Sequence, residues 1–360
     1  MARPKQSRDV TRANHVTRPL TYDRSTIMHP TPQLEFMVPE DQQGTRLDRY
    51  LADQLPQLSR VRVQELMDQG RVLVEGTSRK PSYRVVAGES IIIDIPEAIE
   101  SVLEPEDLPL TILYQDDQIA VVDKPAGMIV HPGAGEATGT LAAALLYKFK
   151  GLANLSDIGG PLRPGIVHRL DKGTSGALLV ALTNQAHLQL IEQFAEREIQ
   201  KTYVALLHGN IKDDAGRIEL PVARDLRHRG RMTARRRDGR PARTDWTVQM
   251  RIPGFTLVSA LLHTGRTHQL RVHFSSQGNP VVGDTLYGAP HQPHAGGQSV
   301  EPLARNFLHA ARLRFTHPGT RVPIEARAKL PAELVAYARE LARLAPAPPG
   351  AIDAALREYL

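Results

Sequence analysis

The sequence predicts an α+β chain of two unequal folded units, and three observations carry that expectation. Short apolar, strand-like stretches recur along the chain, with single helical patterns standing between them. An acidic, proline-marked stretch from Glu97 to Pro109 separates a small N-terminal unit from a large C-terminal one. In the large unit a polar turn, His168 to Gly176, lies between the apolar pair Ile166-Val167 and the run Ala177 to Ala181. That turn presents one carboxylate, Asp171, between Arg169 and Lys172.

Composition narrows the function classes. The 360 residues carry 45 Lys and Arg against 39 Asp and Glu, a formal charge of +6, so what matters is where the excess clusters. There is no cysteine, which excludes disulfides, zinc-thiolate sites, iron–sulfur clusters and thiolate nucleophiles. No apolar run is long enough to span a membrane, and the N-terminus lacks the apolar core of a secretory signal. Asp9, Asp23 and scattered prolines also break any amphipathic presequence helix there. The expectation is a cytoplasmic protein, monomeric by default.

Taken in order, residues 1–33 read as a disordered basic tail, with six Lys and Arg against two Asp. Residues 34–97 read as a compact α/β module. Leu47, Tyr50, Leu51 and Leu55 share one helical face, and Val63, Leu66 and Met67 another, with Ser59 as the expected cap of the second helix. Strand-like Arg71 to Glu75 and Ser90 to Ile95 follow. Arg46, Arg60, Arg62, Arg71 and Arg79 remain outside this pattern, a dense positive face that suits nucleic acid.

Residues 98–342 form the second unit. Leu110 to Tyr114 and Gln118 to Val122 are strands, and the glycines at 133, 135 and 139 precede a helix from Thr140 to Lys148. Those glycines lack dinucleotide-loop spacing. Asn184 can cap the helix that carries Leu188, Ile191 and Phe194, and Gln200 to His208 returns as a strand. Residues 224–243 hold nine arginines, among them Arg235, Arg236 and Arg237, opposed by Asp225 and Asp238. So dense a run reads as an RNA-facing loop rather than a structural element, the alternative being a solvated insert. Strands Thr244 to Arg251, Phe255 to His263, Asn306 to Thr316 and Val322 to Arg327 follow, then a helix from Pro331. Residues 343–360 are a linker and a short C-terminal helix.

The chemistry on offer is spare. His263, His268 and His273 are five apart, a spacing that puts the three together on neither helix nor strand, so no metal site is expected. No second carboxylate pairs with Asp171 in sequence, and no nucleophile elbow or phosphate loop is present. A nucleic-acid hydrolase would need a metal or a second acid.

The string His168-Arg-Leu-Asp171-Lys-Gly-Thr-Ser-Gly176 resembles the aspartate motif of the RluA-type pseudouridine synthases. The segments at Lys124 to Gly127, Lys201 to Ala205, Gly265 to His273 and Gly283 to Gly288 resemble that family's other motifs, in the same order. The module at 34–97 resembles the RNA-binding module named after small-subunit ribosomal protein S-four. The resemblance implies a mixed, largely antiparallel sheet flanked by helices, with a basic cleft holding the aspartate. It implies isomerisation of uridine to pseudouridine without cofactor, Asp171 acting as nucleophile or base on a flipped base. Arg266 would pair with Asp171, Tyr203 would stack on the uracil unless it is a core strand residue, and Arg169 would fill the vacated stack or clamp a phosphate. The implied partner is large-subunit ribosomal RNA or a pre-ribosomal particle. The competing reading is an RNA-binding assembly factor, with or without residual activity.

Overall fold

A computed structural model describes residues 33–55, 60–95, 103–133, 136–155, 162–228 and 230–360. The basic tail before residue 33, the Ser59 cap, residues 97–102 of the linker, Gly135 and Arg229 lie outside the described residues, as do the side chains of Arg60 and Arg62. The chain divides into two units, at residues 101 and 102.

In the first unit, strand β1 (Gln33–Met37) precedes helices α1 (Leu47–Gln54) and α2 (Arg60–Asp68), then β2 (Val72–Val74), β3 (Thr77–Ser78) and β4 (Ser90–Asp94). The strands form one antiparallel sheet ordered β1-β4-β2-β3. The apolar helix faces expected from spacing are the ones buried. Leu47, Tyr50, Leu51 and Leu55 meet Val63, Leu66 and Met67 over Val72, Val74, Ile91 and Ile93. Removing this apolar area from water holds the unit together.

The second unit runs β5 (Thr111–Gln115), β6 (Ile119–Lys124), α3 (Leu141–Lys148), β7 (Ser175–Ala181), α4 (Asn184–Glu196) and β8 (Gln200–His208). Next come β9 (Ala215–Glu219), the short β10 (Ala223–Arg224) and β11 (Met232–Thr233), β12 (Arg243–Ile252), β13 (Phe255–Leu262) and α5 (Gln269–Ser276). The chain closes with β14 (His294–Ala295), β15 (Gln298–Ser299), β16 (Leu308–Thr316), β17 (Pro323–Arg327), α6 (Ala332–Leu344) and α7 (Ala351–Leu356). The large sheet is ordered β5-β6-β7-β16-β8-β13-β12-β9, with β17 also on β16. Every neighbour is antiparallel except β7 and β16, which run parallel.

Both faces of the central strands are covered, which explains the unbroken apolar run of β7. Leu178 and Val180 join the cluster beneath α3, α6 and α7, while Ala177, Leu179 and Ala181 face α4 through Ala186 and Leu190. β16 can approach β7 because Gly176 has no side chain. Its φ is +118°, and an added Cβ would lie 2.3 Å from the Ala310 carbonyl oxygen.

Two expectations change. The cap of α4 is Thr183, whose Oγ1 accepts from Ala186 N at 3.2 Å, so Asn184 is the first helical residue. The arginine-dense stretch is a structural element in its described part. β10 and β11 pair as a hairpin, Val222 bridges Arg240, and Met232 and Ala234 pack on Val222, Ala242, Val272 and Tyr287. Like charges are kept apart because several arginines are engaged. Arg236 bonds Asp238, Arg243 bonds Asp245, and Arg231 lies 5.2 Å over the Tyr287 ring.

Candidate active site

Asp171 begins a tight turn closed by a bond from Thr174 N to its carbonyl at 3.0 Å. A second turn braces the first. The Lys172 carbonyl accepts from Gly127 N at 2.8 Å and from Lys124 Nζ at 3.5 Å. Lys124 is fully buried and also donates to the Pro125 and Met128 carbonyls at 2.7 and 2.8 Å. Burial lowers its pKa to about 7, with Arg305 adding to the effect and Asp171 opposing it. Three carbonyl acceptors match the three donors of an ammonium, so the side chain staples the two turns together.

The arginine on Asp171 is Arg271, not Arg266. Arg271 Nη1 donates to Asp171 Oδ2 at 3.3 Å. Arg266 precedes α5 in the loop, and its Nε instead donates to the Pro241 carbonyl at 3.2 Å. The reason is the local backbone. His268 takes a left-handed conformation (φ +56°) that starts α5 and turns Arg271 inward. Arg271 is further held by Asp284, through Nε to Oδ2 at 2.6 Å and Nη2 to Oδ1 at 2.9 Å, and lies 4.9 Å over the Tyr287 ring. Burial works against its charge. The bonds and field of Asp284, then of Asp171, more than offset that and raise its pKa. The sequence did contain a signal for it: an arginine between apolar Leu270 and Val272 must be half-buried and needs carboxylates.

The three histidines go to three places. His263 Nε2 meets Asp245 Oδ2 at 2.9 Å, and His273 bonds Thr244 Oγ1 and the Leu220 carbonyl, each at 3.0 Å. His268 alone faces the aspartate, Nε2 to Oδ1 at 3.9 Å. Spacing gave no sign that the middle one lies beside the aspartate. Among the described residues no cluster of His, Cys, Asp and Glu is arranged to hold a metal ion.

Tyr203, on β8, is buried, and together with Asp171, Arg266 and His268 it lines one cavity. Burial, and then the nearby Asp171 charge, raise its phenol pKa above the ordinary value, so the hydroxyl stays protonated. Arg169 is exposed and borders both this cavity and a second one of about 750 Å³ that also reaches Asp171 and is bounded by Arg271, Asp284 and Arg305. The site is thus one carboxylate with an opposed cation, a flat ring lining the same cavity, and two adjoining cavities that reach the carboxylate.

Of the arginines expected to face RNA, Arg46 makes a two-bond pair with buried Asp48, at 3.1 and 3.0 Å. Arg71 pairs with Asp94 at 2.6 Å, and Arg79 covers the Tyr83 ring at 5.1 Å. Arg235 and Arg237 are exposed just after the hairpin.

Comparison with known proteins identifies the family. The family described as RNA pseudouridylate synthase matches residues 118–276, and the S4 domain matches residues 45–91. An RNA pseudouridine synthase of Aquifex aeolicus, itself called uncharacterized, is 45% identical over 79% of this chain and 89% of its own. The ribosomal large subunit pseudouridine synthase D of Xanthomonas campestris is 39% identical over 83% of this chain and 90% of its own. Among solved structures, human RNA Pseudouridylate Synthase Domain Containing 4 is similar at a TM-score of 0.50 and 28% identity, over 64% of this chain and 92% of that one. With a mixed sheet, an S4 domain ahead of it and relatives of this likeness along most of its length, the chain belongs to the RluA-type RNA pseudouridine synthases.

Proposed function

We propose that this enzyme converts uridines of large-subunit ribosomal RNA to pseudouridine, with Asp171 as the reacting carboxylate. The observation that carries the reading is the placement of Asp171 against Arg271 at 3.3 Å, on the wall of a cavity shared with Tyr203. The substrate class follows from relatives named as ribosomal large subunit synthases.

The reaction breaks the bond from uracil N1 to ribose C1′, turns the base, and joins C5 to C1′, with the C5 proton lost to a base and N1 taking up a proton, so that the product is an isomer. A carboxylate serves this chemistry either as nucleophile or as base. Arg271 fixes the side-chain rotamer of Asp171 and offers its positive charge to the anionic form. Tyr203 offers a ring face to the uracil, and the target base must leave its stack to reach it. Arg169, exposed at the rim, is placed to meet the adjacent phosphate or the vacated stack. The S4 domain and the arginine hairpin supply charge for the RNA backbone, and RNA shape supplies selectivity.

The test is tritium release from RNA labelled at uracil C5, with wild type and Asp171→Asn side by side. Naked large-subunit RNA, ribosomal particles and transfer RNA are the three substrates. Release by the wild type alone supports the assignment, and the substrate that releases fastest names the target. Turnover by Asp171→Asn would remove Asp171 from the chemistry. Binding without release from any substrate would favour an assembly factor.

A further inference from the structure

His268 has one ring nitrogen engaged and one open. Its Nδ1 is 2.8 Å from the Tyr287 hydroxyl, and the two rings meet edge to face at 5.6 Å. That hydroxyl also accepts from Met232 N at 2.8 Å. Tyr287 is buried, so its own proton needs an acceptor, and Nδ1 is the one beside it. Donation from Tyr287 to Nδ1 places the ring proton of a neutral imidazole on Nε2. Burial lowers the His268 pKa, with Asp171 opposing, so the neutral ring is the favoured form. Nε2 lies 3.9 Å from Asp171 Oδ1, too far for a hydrogen bond, and has no other bonded partner among the described residues. His268 also borders both cavities beside Asp171. A fixed, unspent N–H donor therefore points into the space that the flipped nucleotide must occupy.

We propose that His268 is a further catalytic residue, whose Nε2–H donates to an oxygen of the flipped uridine at Asp171, with Tyr287 as the positioning residue that fixes its tautomer. This rests on Asp171 being the reacting carboxylate. An aligned donor of this kind holds the nucleotide while its base detaches and turns, and removing one typically slows the chemical step tenfold or more.

Two amides separate this from a merely structural role. A glutamine amide nitrogen reaches the place of Nε2, whereas asparagine reaches only that of Nδ1. Asparagine is the better residue for the left-handed backbone at 268, so a structural role favours it. The experiment measures single-turnover tritium release, RNA affinity and melting temperature for wild type, His268→Ala, His268→Asn and His268→Gln. Expected are release rates at least about tenfold lower for the alanine and asparagine variants, RNA affinity within about twofold of wild type, and recovery of much of the rate by glutamine. Tyr287→Phe should slow release as well. An asparagine variant at wild-type rate with a slow glutamine variant overturns the proposal, and so does wild-type release by His268→Ala. Wild type and Asp171→Asn in the same assay test the role of Asp171 separately. Substrate carrying 2′-deoxyuridine at the modified position then identifies the oxygen. Loss of the His268→Ala penalty there marks the ribose 2′-hydroxyl, and its persistence excludes it.

Discussion

Arg271 and Asp284 are joined by two side-by-side bonds, at 2.6 and 2.9 Å, and the guanidinium nitrogen left over is the one that reaches Asp171. Asp284 is 3% exposed, so this pair is formed away from water and its geometry is strict. Asp284→Asn leaves a half-buried cation without its main partner. We expect a loss of roughly 3 kcal/mol in stability and at least about a tenfold drop in turnover. Urea unfolding beside tritium release checks both, and unchanged turnover would show that Asp171 needs no such anchoring.

The two arginines of the Gly265 to His273 segment should separate cleanly. Lysine cannot reproduce a fork that bonds Asp284 twice and Asp171 once, so Arg271→Lys should lower turnover by about tenfold or more. Arg266→Lys keeps the Arg271–Asp171 bond and should cost less, because the Arg266 side chain bonds only to the Pro241 carbonyl among the described residues. A greater loss in Arg266→Lys than in Arg271→Lys would restore the pairing that the sequence suggested.

How far the sequence could be read depended on the range of the interaction. The buried faces of α1 and α2, the strand after Asp171 and the turn that presents it are local patterns, and each is found where spacing put it. The choice of Arg271 over Arg266 is not local. It depends on Asp284, on a helix that starts at a left-handed histidine, and on an aspartate a hundred positions earlier in the chain. Charge density pointed to the hairpin at 224–243 but concealed its fold, because Met232 and Ala234 are two modest apolar residues amid arginines. Asn184 is the better cap by type, and only backbone geometry gives the position to Thr183.

Gly176→Ala is expected to be severe. The residue combines a φ of +118° with a Cβ position 2.3 Å from one backbone atom of Ala310 and 2.7 Å from another. Neither the strain nor the overlap can be relieved by a side-chain rotation, so β16 must move. A loss of more than about 3 kcal/mol, or failure to accumulate folded protein, is the outcome to look for by thermal melting. A variant melting within a few degrees of wild type would show that the sheet yields there.

Stability should also fall in acid through His309. Its ring is buried, with Nδ1 on Ser175 Oγ at 2.8 Å and Nε2 on the Ala328 carbonyl at 3.1 Å. Burial lowers its pKa from 6.5 to about 4, Arg305 adding to this and the Ala328 bond opposing it. The unfolded chain therefore takes up a proton that the folded chain refuses. The contribution is complete above pH 6.5 and is lost as the pH falls through that value toward about 4. At about pH 5 the loss is roughly 2 kcal/mol. His309→Gln, which takes up no proton, should lose less stability than wild type between about pH 7.5 and about pH 5 in urea titrations. Equal losses would exclude His309.

The parallel pairing of β7 with β16 sets a timetable for the chain. Ala310 of β16 is registered with Gly176 on one side and with Tyr203 on the other, so the strand leaving the Asp171 turn and the strand bearing Tyr203 are neighbours only through it. During synthesis, β5-β6-β7 and β8-β13-β12-β9 emerge first as two half-sheets, each with an open edge. They become one sheet only when the stretch Leu308–Thr316 arrives between them. Closure of so long a loop is slow, and the waiting edges invite mispairing. The nascent chain is therefore expected to stay inactive until Leu308–Thr316 has been made, and truncation before residue 308 removes the link between the strand that leaves the Asp171 turn and the strand that bears Tyr203.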